Sequence, residues 1–94
     1  VMSGSDVKTT RVTATGAASI GRCRLMQVLV TTSGSGTPEL KLTDGTNSGE
    51  TKLHVDLQTG ETDTISVPAQ GILFETDINV HTVDDITSVV FFTV

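Results

Sequence analysis

The closing stretch Ile86 to Val94 (ITSVVFFTV) most constrains what this chain can become, because it is apolar on both faces of an extended backbone. Alternation of period two puts Ile86, Val90, Phe92 and Val94 on one side and Val89 and Phe91 on the other. A strand with one side in water carries polar residues at every second place, so this one is expected to be covered twice, by its own core and by another subunit. Arg22 to Thr32 repeats the pattern, with Cys23, Leu25 and Leu29 on one face and Met26, Val28 and Val30 on the other. Two such strands belong side by side at the centre of a sheet. Their second faces, Met26, Val28, Val30, Val89 and Phe91, form the candidate oligomer interface, since an uncovered apolar patch would aggregate and closed symmetric association removes it.

The rest of the chain reads as shorter strands. Val7 to Ala14 is thin in apolar residues and suits a sheet edge, with Thr10 and Val12 alternating against Arg11 and Thr13. Gly16 to Gly21 is small-residue turn material, and Ser33 to Pro38 is a connection. Glu39 to Thr43 and Thr51 to Leu57 form a β-hairpin around the loop Asp44 to Glu50 (DGTNSGE), with Leu40, Leu42, Leu53, Val55 and Leu57 inward and Lys52, His54 and Asp56 in water. Thr62 to Val67, stopped by Pro68, then Ile72 to Glu75 after a bend at Gln70 and Gly71, and Asp77 to Val83 complete the set, with Asp84 and Asp85 turning into the last strand. Seven or eight strands at spacings of about ten residues predict one antiparallel β-sandwich or jelly-roll domain over residues 1–94.

Composition agrees, since 17 Thr and nine Gly favour strands and tight turns over helices. A formal net charge of −5 lacks the basic footprint that nucleic acid requires. The sequence has no apolar run near 20 residues and no charged-then-apolar leader, so neither membrane insertion nor ordinary secretion is expected. One cysteine, Cys23, excludes an internal disulfide and fits assembly in a reducing cytoplasm.

Little in the chain suggests chemistry. Cys23 with His54 or His81 has the residue types of a thiol nucleophile and its base, but Cys23 sits in an apolar strand where thiols act as small hydrophobes. The two His have no neighbouring ligands at zinc spacing. Asp44, Thr46, Asn47, Ser48 and Glu50 gather oxygen donors without the calcium-loop pattern, and turn chemistry accounts for them. Asp84 and Asp85 are adjacent, hence point apart on a strand, which is poor geometry for a shared proton. Ser33 to Gly36 lacks the Lys-Ser/Thr of a phosphate loop, and a chain without Trp or Tyr lacks the stacking platforms of many sugar binders. No catalytic, cofactor or metal residue is therefore assigned.

The run RCRLMQVLVTTSGSGTPELKLTDGTNSGETKLHVDL, followed by SVPAQGILFETDINVHTVDDITSVVFFTV, resembles small proteins encoded by tailed bacteriophages, especially phages of marine bacteria and cyanobacteria. The resemblance lies in the arginine-led strand Arg22 to Val30, the Leu40 to Gly45 strand and turn, the Val67-Pro68 to Gly71-Ile72 bend with Phe74, and the closing Val-rich strand with Phe92. It implies a virion-associated or accessory phage protein, decoration of a capsid or tail being one such role, with assembly in the host cytoplasm and contacts to copies of itself or other virion proteins. The expected function is accordingly a non-enzymatic, homo-oligomeric structural or interaction protein. A small-ligand or glycan-binding jelly roll is the alternative, with a hydrolase built on Cys23, His54 and His81 more distant.

Overall fold

Thr- and Val-rich segments interrupted by Gly and Asp give nine strands in the computed structural model, which describes residues 7–67 and 71–94. They are β1 (Lys8–Val12), β2 (Gly16–Ala17), β3 (Cys23–Thr32), β4 (Glu39–Asp44), β5 (Thr51–Asp56), β6 (Thr62–Ser66), β7 (Ile72–Phe74), β8 (Ile78–Asp84) and β9 (Ile86–Thr93). One sheet runs β1-β9-β3-β6, with β7 beside the other half of the same β3 edge, and the second runs β2-β8-β4-β5. Every pairing is antiparallel, and the inner faces of both sheets share one apolar core, which makes the domain a β-sandwich. The described residues include no helix.

The anticipated strands are present, and one is added. The Gly16 to Gly21 segment is not all turn, because Gly16 and Ala17 pair with Val80 and Asn79 of β8. As anticipated, β1 is an edge strand, β3 and β9 lie together at the centre of their sheet, and β4 and β5 form a hairpin in which Leu40 faces Val55 and Leu42 faces Leu53. The stop at Pro68, the bend at Gln70 and the polar lead Ser3 to Ser5 fall outside the described residues.

The face assignment of the central strands needs correction. Val28, Val30, Val89 and Phe91 are completely buried within one chain and form the sandwich core, so they present no surface to another subunit. Opposite them in register stand Phe91 against Val28 and Val89 against Val30, a double row that faces Leu40, Leu42, Ile78 and Val80 of the other sheet. The error comes from a register shift between Leu25 and Gln27, where the extra residue of a β-bulge inverts the alternation. Cys23 and Leu25 point inward before it and Val28, Val30 and Thr32 after it, whereas Met26 is half-buried at the bulge and Leu29 belongs to the outer face. A second shift between Thr31 and Thr32 brings Ile86 into the core together with Val89 and Phe91, and leaves Val90 and Phe92 half-buried outside.

That outer face stays partly apolar because its neighbours shelter it. Val90 lies between Arg11 of β1 and Leu29 of β3, and Phe92 between Thr9 and Gln27. Long polar stems alongside cover such positions without a second layer. The two aromatic residues thus test the assignment directly. Phe91→Ala is expected to cost about 3–5 kcal/mol in urea unfolding and Phe92→Ala about 1–2 kcal/mol; equal losses would contradict the face assignment.

Candidate functional site

Chain connections that pass from one sheet to the other leave backbone amides at the sandwich ends, and carboxylates satisfy them. Asp44, the last residue of β4, accepts the N–H groups of Glu75 and Thr76 at 3.1 and 3.0 Å, with Asp77 N–H more distant at 3.4 Å. Asp77 in turn accepts Ser19, Ile20 and Gly21 N–H at 2.9, 2.9 and 3.1 Å and its neighbour Ile78 N–H at 2.8 Å. The two carboxylates thereby tie the β2–β3 loop, the β7–β8 turn and the β4–β5 hairpin into one clasp. The backbone reinforces it, since Gly45 N–H donates to the Asp77 carbonyl at 2.9 Å.

The opposite end uses the same device once. Asp85 makes the single-residue corner between β8 and β9 at a φ of 55°, a left-handed conformation that Asp tolerates better than most residues. Its carboxylate accepts Thr37 N–H and its carbonyl accepts Ser33 N–H, both at 2.9 Å. A side chain at Gly36, whose φ is 90°, would collide with that carboxylate. Next to it the buried Thr32 hydroxyl receives Glu61 N–H at 2.9 Å and lies within donating distance of the Gln58 and Glu61 carbonyls, fastening the β5–β6 loop.

The residues singled out from sequence are dispersed by this framework. Cys23 is 6% exposed on the inner face of its sheet, whereas His54 and His81 belong to β5 and β8 of the other. Burial, with the negative charges of Asp77 and Asp44, pushes the Cys23 thiol above its ordinary pKa, the direction opposite to nucleophile activation. His81 is the extra residue where β8 passes Lys41 and Leu42, and its Nδ1 is 2.8 Å from the Thr82 hydroxyl. His54 meets the Glu39 carboxylate through Nε2 on the outer face of β5 and β4.

The oxygen-rich hairpin loop is also committed to its own structure. The Thr46 carbonyl receives the Thr43 hydroxyl at 2.7 Å and Gly49 N–H at 2.9 Å, while the Asn47 Oδ1 receives Asn79 Nδ2 at 2.7 Å. Asn79 also donates to Thr43 Oγ1 at 3.0 Å, so two polar residues on the outer face of the sheet are buried beneath the loop. Glu50 pairs with Lys52 at 3.0 Å. Among the described residues no group of three His, Cys, Asp or Glu side chains converges as metal ligands would, and no cavity is found.

The most polarised surface that remains is the outer face of the sheet β2-β8-β4-β5. Glu39 stands in register between Asp56 of β5 and Asp84 of β8, and the adjoining row is His54, Lys41 and Thr82. Like charges directly opposite one another in a sheet repel. Sequence reasoning did not foresee either this acidic row or the anchoring parts of Asp44, Asp77 and Asp85. Asp residues at strand ends beside small-residue loops were the available signal for the anchors.

Comparison with protein-family models, curated proteins and solved structures finds no match to this chain.

The Asp44 clasp makes a pH-dependent contribution. The Thr76 amide, followed by those of Glu75 and Asp77 and by the nearby Lys52 ammonium, holds the Asp44 carboxyl below its ordinary pKa in spite of opposing desolvation. A folded-state pKa below the unfolded one adds stability that is present at neutral pH and lost as pH falls from the ordinary carboxylate range through the folded value. Asp44→Asn is expected to lower the thermal midpoint at pH 7 by about 5 °C and to flatten its decline in acid; an unchanged acid limb would contradict the clasp. The Cys23 thiol is expected to react with an aromatic disulfide reagent only slowly in the native protein and rapidly in denaturant.

Proposed function

We propose that this chain is a non-enzymatic structural or interaction protein that acts by associating with copies of itself, as a virion-associated protein of a tailed phage. The observation that carries the reading is the assignment of the reactive-looking side chains to internal duties. Asp44, Asp77, Asp85 and Thr32 bind loop amides and carbonyls, and Cys23 fills the core. The edge strands of the two sheets, β1 with β6 and β7 in one and β2 with β5 in the other, offer backbone groups suited to protein contacts. Placement in a virion is supported by the resemblance of Arg22 to Val30, Leu40 to Gly45 and the Val-rich terminus to small proteins of marine phages. Association does not use Val28, Val30, Val89 or Phe91, four of the five candidate interface residues, since their side chains are core, whereas Met26 is half-buried.

Sedimentation velocity across a concentration series tests the association, and a species larger than one chain that grows with concentration is the expected outcome. A single monomeric species throughout would overturn it. Mass spectrometry of purified particles from a phage that encodes the chain tests the placement, and its absence from the particles would overturn that part alone.

A further inference from the structure

We propose that the open edge of β5 (Thr51–Asp56) pairs antiparallel with the same edge of a second copy, joining the two β2-β8-β4-β5 sheets about a twofold axis at His54. The inference rests on the self-association just argued and names its surface. β5 ends its sheet, and the only described strand paired with it is β4. Its inward residues Leu53 and Val55 pack against the core but are only partly buried, because no strand lies beyond them.

Register follows from phase and charge. Directly opposed residues in an antiparallel pair share a face, so the twofold axis must set one residue of β5 opposite its own copy if Leu53 and Val55 are to meet apolar partners. An axis between residues would set Leu53 beside a histidine. Centring on Leu53 opposes Lys52 to His54 of the partner subunit, which offers the ammonium no carboxylate. Centring on Val55 aligns Lys52 with Gln58 of the partner subunit, so the ammonium gains no acid beyond its own Glu50. Centring on His54 sets Lys52 opposite Asp56 of the partner subunit and Leu53 opposite the partner's Val55, each pairing occurring twice by symmetry.

This last arrangement repairs two deficits of the lone chain. The acidic row Asp56–Glu39–Asp84 gains a cation at its open end, contributed by the partner's Lys52. The inner rows Leu42–Leu53 and Leu40–Val55 become continuous with their copies across the new edge. Lys52 keeps Glu50 at 3.0 Å with one ammonium proton and has two further donors for the partner's carboxylate. On the axis each imidazole is already turned to its own Glu39, beside its own Lys41, which separates the two rings' polar atoms.

The test uses Lys52→Asp and Asp56→Lys, separately and mixed in equal amounts, followed by sedimentation equilibrium. Alone, each variant opposes like charges at both symmetric contacts, and its dissociation constant is expected to rise about tenfold or more over the unsubstituted chain. Mixed, they form a heterodimer in which both contacts are again opposite in charge, so association is expected to return towards the original. This rescue cannot arise from a folding defect in either variant. If the unsubstituted chain dimerises but mixing restores nothing, the β5 pairing is overturned and self-association stands. If the unsubstituted chain stays monomeric, both are overturned.

Discussion

The pairing of β3 with β9 is the contact on which the rest of the structure depends. With three Phe, no Tyr and no Trp in 94 residues, the core cannot be built around a large aromatic cluster and relies on aligned aliphatic rows instead. Val30 against Val89 and Val28 against Phe91 supply two such rows, each fully excluded from water. The bulge between Leu25 and Gln27 brings Cys23 and Leu25 into the same layer, so that Phe74 of β7 closes it from the side. Without that extra residue, one half of β3 would turn its apolar side chains to water while the other half filled the core.

A central pair built this way dictates how the chain must travel. Among the described strands only β4 and β5 are successive and hydrogen-bonded to each other, and most other connections cross between sheets. Each crossing strands amides and carbonyls beyond the ladders, where unpaired groups are costly. Three Asp carboxylates and the Thr32 hydroxyl satisfy many of them, and no buried side-chain polar atom among the described residues lacks a partner. The clasp also couples distant parts of the sequence, since Asp77 reaches back to Ser19, 58 residues away. Three of the eleven acidic residues are thus structural, their carboxylates engaged by loop amides as a consequence of topology.

How far the sequence disclosed this architecture depends on the range of the forces involved. Strand identity is local, and the β4–β5 hairpin, the β1 edge and the adjacency of β3 and β9 could be read from alternation and turn residues. Facing is also local until a bulge intervenes. A run such as LMQVLV has no residue that marks where the extra position falls, so Val28 and Val30 were placed outward when they line the core. The pairing of Gly16 and Ala17 with β8 was missed because glycine and alanine carry no strand pattern of their own. The carboxylate anchors depend on which loops meet at which end, a property of the completed fold, and only the turn-forming character of Asp was visible beforehand.

The edge of β5 shows why charge and affinity should be separated in such a small sandwich. A chain of this size buries a modest share of its surface, so an added strand neighbour is favoured chiefly by extending the apolar rows and pairing idle backbone groups. Exposed ion pairs contribute little by comparison, roughly 0–1 kcal/mol each, and are screened by salt. In the proposed dimer Lys52 and Asp56 therefore matter less for how tightly two edges join than for how they line up. An edge of alternating Leu53, His54 and Val55, with Lys52 the extra residue where β5 passes Leu42 and Thr43, permits several in-phase alignments, and in the proposed dimer the cation at one end with the anion at the other distinguishes one of them. The same residues protect the monomer, because a strand from any other source meets an ammonium at one end and the Asp56–Glu39–Asp84 row at the other. In the dimer proposed above, an edge marked in this way admits its own copy more readily than an arbitrary strand.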